Sequence, residues 1–194
     1  MNSEELEMLV ARIQQGKTNE YEVIISIFQQ PIFRYCYRLL ENRQDAEDAV
    51  QDILVKAYQS LHQYKRADHF SAWLYRIAYH YCLNLLRRRH IHRKVISIIS
   101  SQRVVTNSEE ELDEVLYKPV LVASLSRLSL EERNLLILRV FEEKSFAEIS
   151  SILKVSSNAL VKRMKRIQKK VRKYMESEEG MIWTETEMSM NTKI

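Results

Sequence analysis

The chain has 194 residues with a formal net charge of +4, Lys+Arg 30 against Asp+Glu 26, and 45% hydrophobic residues. That is enough for one average domain or two small ones, and so mildly basic that the placement of charge matters more than its sum. Two Gly and two Pro leave little punctuation for strands and turns, so a mostly helical fold is expected, and no apolar run approaches the roughly eighteen residues a membrane span requires. No signal-peptide pattern opens the chain, so secretion and membrane insertion are not expected. Cys36 and Cys82 stand apart in sequence with no C-x-x-C, which fits a reduced, cytoplasmic setting.

The first helix is predicted to start at Ser3 as N-cap, present Leu6, Leu9, Val10 and Ile13, and stop at Gly16. A second apolar pattern runs from about Asn19 through Leu40, with Pro31 either kinking it or dividing it in two. From Asp45 to Leu61, the residues Ala46, Ala49, Val50, Ile53, Leu54, Ala57 and Leu61 form a buried stripe. Asp45, Asp48 and Asp52 share the opposite face, beside Gln51. Like charges on one stripe serve solubility or await a basic partner.

Phe70 to Arg89 repeats the helical period, with Phe70, Trp73, Leu74, Ile77, Ala78, Tyr81, Cys82, Leu85 and Leu86 on one face. Its other face carries Arg76, Tyr79, His80 and Asn84 and ends in Arg87, Arg88 and Arg89. Stacking, hydrogen-bonding and cationic groups on one surface suit unpaired bases and phosphates.

The succession DAEDAVQDILVKAY, LHQYKRADH, FSAWLYRIAYHYCLNLLRRR resembles the first conserved domain of bacterial sigma factors of the extracytoplasmic-function group, in the sigma-70 family; the likeness covers Tyr21 to Arg89. It implies that Asp45, Asp48, Gln51 and Asp52 face core RNA polymerase. It places Tyr64, Lys65, Arg66, Phe70, Ser71, Trp73, Arg76, Tyr79, His80 and Asn84 in the segment that captures and melts the minus ten promoter element. Arg87 and Arg88 would lie on backbone phosphates. Where the family usually has Arg-Asn after an Ile-Ala pair, this chain has Tyr79-His80.

From Ile91 to Tyr117 the periodicity fades, as expected of a linker; Ser108 and Glu111 could cap a short helix that Pro119 ends or restarts. His90 and His92 lack a third metal ligand at a plausible spacing. Ser129-x-x-Glu132 and Ser145-x-x-Glu148 are capping boxes that open two further helices. Lys154-Val155-Ser156 then reads as a tight turn into a basic helix from about Ser157 to Met175, the layout of a helix-turn-helix. Eight of the thirteen residues from Val161 to Lys173 are basic, a self-repulsion that phosphate contacts would reverse.

The segment from Leu128 to Val171 resembles the second conserved domain of the same family, whose last helix reads the minus thirty-five element. By position, Ser157, Asn158, Val161, Lys162, Arg163 and Arg166 fall at that element. The turn glycine of the family is Lys154 here, and a commonly basic reading position is Val161.

The expectation is an all-α chain of two small helical domains joined by a linker, the C-terminal one a helix-turn-helix. The N-terminal unit is 1–90, the linker 91–118, the helix-turn-helix unit 119–176, and 177–194 an acidic, disordered tail. No phosphate loop, H-E-x-x-H or nucleophile elbow occurs, so neither an enzyme nor a cofactor is expected. Core RNA polymerase, promoter DNA and an anti-sigma factor are the partners the resemblance implies, with a stress or envelope regulon. The alternative is a free-standing helix-turn-helix regulator that binds duplex DNA without polymerase.

Overall fold

The computed structural model describes residues 1–66, 69–99 and 127–191, with side chains placed through Arg89, at Ile91, and from Arg127 to Met175. Among the described residues every regular element is helical: α1 Ser3–Gln14, α2 Tyr21–Leu40, α3 Arg43–Ser60, α4 Phe70–Ile99, α5 Leu130–Leu136, α6 Phe146–Leu153 and α7 Ser157–Asn191. Short 3-10 turns lie at Thr18–Glu20, between α1 and α2, and at Leu61–Gln63, between α3 and α4. The capping box of Ser108 and the proline at 119 lie outside the described residues.

Local chemistry sets most of the boundaries. α1 begins one residue earlier than Ser3 suggests: Asn2 accepts from the Glu5 amide at 2.8 Å, and the Glu5 carboxylate accepts from the Asn2 amide at 2.9 Å. Gly16, at φ +105°, turns the chain just beyond the helix end, where a side chain would be strained. Pro31 lies inside a single helix, α2, where it removes one ladder bond without dividing the segment. Ser129 and Ser145 form the two expected capping boxes, each hydroxyl accepting from the amide of the glutamate three residues on.

Two boundaries depart from expectation. α4 runs to Ile99, so the first nine residues assigned to the linker are helical. α7 continues to Asn191, through the segment expected to be a disordered tail. Once a helix is nucleated each added residue gains a bond, and Gly180 costs only about 1 kcal/mol, while no proline intervenes.

The core is continuous from α1 to α7. Leu6, Val10, Ile24, Ile32, Ile53, Phe70, Leu74 and Ala78 pack the N-terminal bundle, and Leu135, Leu138, Ile149, Ile152, Leu160 and Ile167 pack the C-terminal one. The two bundles meet along α2 and α4. The Tyr35 hydroxyl donates to Asn134 Oδ1 at 2.6 Å in the buried seam, and Arg133 pairs with Glu41 at 2.5 Å at its edge. Tyr75, absent from the predicted stripe, is buried by this contact. Cys36 and Cys82, far apart in sequence, are brought together with their sulfurs 3.6 Å apart; both are buried and reduced. The Cys82 thiol beside it, then burial, pushes the Cys36 thiol well above its ordinary range.

Candidate nucleic-acid interface

The acidic stripe lies on α3. Asp48, Gln51 and Asp52 are exposed, whereas Asp45 is half-buried and ion-paired with Arg89. At the other end of the stripe the Tyr81 hydroxyl donates to Asp52 Oδ2 at 2.5 Å. Burial first, and then the Asp52 carboxylate, push the Tyr81 hydroxyl up to about 12. α4 therefore braces the acidic face at two points without covering it.

The chain between α3 and α4 is held from behind. Phe70 lies in the core, as its place on the apolar stripe of α4 predicts, and so does Tyr64, which the resemblance puts at the DNA strand; they are 0% and 6% exposed. Tyr64 packs its ring against Phe70 and Trp73, with centroids 5.5 and 5.4 Å away, and donates its hydroxyl to Glu7 at 2.6 Å. Their aromatic rings are spent on packing, so neither offers a face to a base. Lys65, Arg66 and His69 are exposed, and His69 takes the left-handed conformation at φ 53°.

Along α4 the predicted residues divide. His80, Asn84, Arg87 and Arg88 are exposed together, with the Tyr79 ring 5.4 Å from His80. Ser71, Trp73, Arg76 and Tyr79 are half-buried. Arg76 donates to the carbonyls of Ser151 and Ile152 at 2.5 and 3.3 Å, and Lys144 donates to the Ser71 hydroxyl at 3.4 Å, so the C-terminal bundle covers this end of the helix.

On the helix-turn-helix, Lys154 adopts φ 55°, the left-handed cap that a glycine would take at lower cost. It ends α6 and delivers α7 after the expected three-residue turn. Asn158, Lys162, Arg163 and Arg166 are exposed, while Val161 and Ser157 are half-buried. The Ser157 hydroxyl donates to the Phe146 carbonyl at 3.3 Å and so ties the two helices. Arg163 and Arg166 line a cleft of about 550 Å³ together with Tyr79 and Glu131, so residues assigned to two different promoter elements face each other across the seam.

Among the described residues no cluster of His, Cys, Asp or Glu could hold a metal ion, and no helix is long and apolar enough to cross a membrane. Sequence reasoning missed Glu7, Gln14 and Glu142, three side chains that join distant segments. Glu7 and Gln14 are seven residues apart on the edge of the apolar face of α1, which is the one signal that pointed to them.

Family models match twice, sigma-70 region 2 over residues 24–91 and sigma-70 region 4 over residues 120–171. The ECF RNA polymerase sigma factor SigW of Bacillus subtilis is 24% identical over 176 residues, covering 86% of this chain and 94% of its own. Among solved structures, CnrH in complex with the cytosolic domain of CnrY aligns with a TM-score of 0.65 at 20% identity, over 88% of this chain and 96% of that one. The sigma factor RpoE of Bartonella quintana, in complex with the anti-sigma factor NepR, aligns with a TM-score of 0.64 at 18% identity, over 81% and 97%. With both regions present, in order and on the expected helices, the chain belongs to the sigma-70 family, in its extracytoplasmic-function group, and is a polymerase-binding, promoter-specific sigma factor.

Proposed function

We propose that this sigma factor divides its work among three surfaces. Asp48, Gln51 and Asp52, with Asp45 at the edge, dock on core RNA polymerase. Lys65, Arg66 and the α4 face of Tyr79, His80, Asn84, Arg87 and Arg88 hold the melted minus ten strand, and Arg76 joins them when the C-terminal bundle releases it. Asn158, Lys162, Arg163 and Arg166 on α7 read or hold the minus thirty-five duplex, with Ser157 and Val161 seating the helix. Tyr64, Phe70, Ser71 and Trp73 support the melting surface from beneath.

One observation carries this reading: the exposed stacking and cationic face of α4 is tied to the exposed acidic face of α3 through Arg89 with Asp45 and Tyr81 with Asp52. A surface suited to unpaired bases is thereby fixed at a set angle to a surface suited to a basic protein partner. Opening a duplex without ATP requires groups that compensate unstacking, about a few kcal/mol per base, and the α4 face supplies them.

The likeness to sigma factors solved with anti-sigma proteins supports an anti-sigma partner for this chain as well, and action beside polymerase supports a cytoplasmic site. The group's name supports a stress or envelope regulon. The proposed division into units 1–90 and 119–176 is supported by the spans the two family models cover.

Run-off transcription tests the reading, with purified core polymerase, a genomic promoter library and sequencing of the transcript starts. Discrete starts that share two upstream motifs are expected. Absence of protein-dependent starts, together with tight duplex binding by the chain alone, would overturn it in favour of a free-standing regulator.

A further inference from the structure

α1 precedes the span matched to region 2, and nothing about that match assigns it a role. Its apolar residues Leu6, Leu9, Val10 and Ile13 account for its attachment to the bundle. Two polar side chains on the same helix do something more specific. Glu7 is 6% exposed and uses both carboxylate oxygens: Oε1 accepts from the Phe70 amide at 2.8 Å, and Oε2 accepts from the Tyr64 hydroxyl at 2.6 Å. Two turns further along, Gln14 Nε2 donates to the carbonyls of Leu61 and Tyr64 at 2.8 and 3.1 Å.

All four bonds end on one short stretch of chain, the connection from α3 into α4. They fix it at residue 61, at both the backbone and the side chain of residue 64, and at the first residue of α4. Between the fixed points Lys65 and Arg66 stand exposed. A buried carboxylate is costly unless its partners are held in place, and here one partner is the amide end of α4, where the helix dipole favours negative charge. Neither polar residue is needed to bury apolar surface, which α1 already does with its other face.

We propose that Glu7 and Gln14 are positioning residues for promoter melting, holding the chain that carries Lys65 and Arg66 in the shape that receives the displaced strand. The inference rests on the assignment of Lys65 and Arg66 to that strand. A segment ordered in advance loses less entropy when the strand arrives, and misplacement of a binding group by about 1 Å can cost on the order of a hundredfold. Removal of the Glu7 carboxylate also takes away the oxygens to which the Tyr64 hydroxyl and the Phe70 amide donate.

The test uses the full chain with core polymerase on a duplex promoter selected by the transcription experiment. Permanganate reactivity of unpaired thymines reads strand opening, and a template already melted over the minus ten element serves as the control. Glu7→Ala is expected to open the duplex about tenfold more slowly, with unchanged core affinity and no deficit on the melted template. Gln14→Ala, which leaves the apolar face of α1 intact, should show a smaller deficit of the same kind. Glu7→Gln, whose amide oxygen still accepts one of the two bonds, should recover most of the rate. Normal opening by both alanine variants overturns the proposal, as does a loss of core affinity equal to the loss of opening, which would mark α1 as packing only. A Lys65→Ala, Arg66→Ala double variant separates the two levels. If it opens the duplex slowly while Glu7→Ala is normal, the positioning role alone fails; if it too is normal, the strand assignment fails with it.

Discussion

Tyr75 and Glu142 are 67 residues apart and joined by a hydrogen bond of 2.6 Å, the Tyr75 hydroxyl donating to Oε2 while Arg38 pairs with Oε1 at 3.0 Å. The Glu142 side chain is 5% exposed, and burial followed by the Glu142 charge pushes the Tyr75 hydroxyl above its ordinary range. A π-helical turn at Ile137–Phe141, closed by the Glu142 amide on the Ile137 carbonyl, delivers the carboxylate to this seam. Minus ten and minus thirty-five elements lie about 25 base pairs apart, or roughly 85 Å at 3.4 Å per base pair. The closed arrangement, in which Tyr79 faces Arg163 and Arg166 across one cleft, does not span that length if these residues take the two elements proposed for them. Glu142→Ala, which removes the buried carboxylate that pairs with Arg38, should lower stability by about 3 kcal/mol and raise the radius of gyration in solution scattering. An unchanged radius and unchanged denaturation midpoint would show that this contact does not hold the halves together.

The acidic face predicts a separation between its members. Asp48→Lys should weaken core polymerase binding at least about tenfold while leaving the denaturation midpoint within about 0.5 kcal/mol, because Asp48 is exposed. Asp45→Lys should lower both, since it also breaks the pair with Arg89. Core binding retained by Asp48→Lys in a pull-down against core polymerase would count against the assigned surface.

Arg163 and Arg166 are exposed on α7 and distinguish base reading from phosphate holding. Alanine at a base-reading arginine should cost about 1 to 3 kcal/mol on the matched minus thirty-five sequence and relax preference at one position. Alanine at a phosphate-holding one should weaken all sequences alike and reduce the salt slope by about one. Fluorescence anisotropy across salt concentrations on matched and scrambled duplexes decides between them.

How much of this was legible follows from how local each cause is. The capping boxes at Ser129 and Ser145 close within three residues, and the sequence alone locates them. The α3 and α4 stripes are legible because apolar residues recur at the helical period over four or more turns. The seam between the bundles is not, since Tyr35 with Asn134 and Tyr75 with Glu142 join polar residues whose spacing carries no period. For the same reason Tyr64 reads as a strand-facing aromatic, since the buried Glu7 and the rings of Phe70 and Trp73 that draw it inward lie on other helices. Arg76 and Ser71 read as free DNA contacts because nothing in their own helix announces the carbonyls of α6 or the Lys144 ammonium that reach them.

Lys154 holds a left-handed conformation at φ 55° where α6 ends, a geometry that costs a residue with a side chain about 1 kcal/mol relative to glycine. Lys154→Gly should therefore raise the denaturation midpoint by the equivalent of about 0.5 to 1 kcal/mol, with minus thirty-five affinity changed little. A fall in stability would mean that the lysine side chain contributes more in this turn than the backbone strain removes.

The bond from Tyr81 to Asp52 predicts an alkaline limit to stability with a definite sign. In the unfolded chain a tyrosine hydroxyl loses its proton near pH 10, whereas burial and then Asp52 raise Tyr81 to about 12 in the fold. The folded state holds the proton more tightly, so this contribution is complete below pH 10 and is lost as pH rises through 12. Burial raises Tyr21 and Tyr75 in the same direction, so a decline above pH 10 is expected from several sites at once. Tyr81→Phe isolates the one at the acidic face: urea denaturation from pH 9 to 12 should show a shallower decline in the variant, because Tyr21 and Tyr75 act equally in both proteins. Parallel declines would mean that the hydroxyl is not held by Asp52.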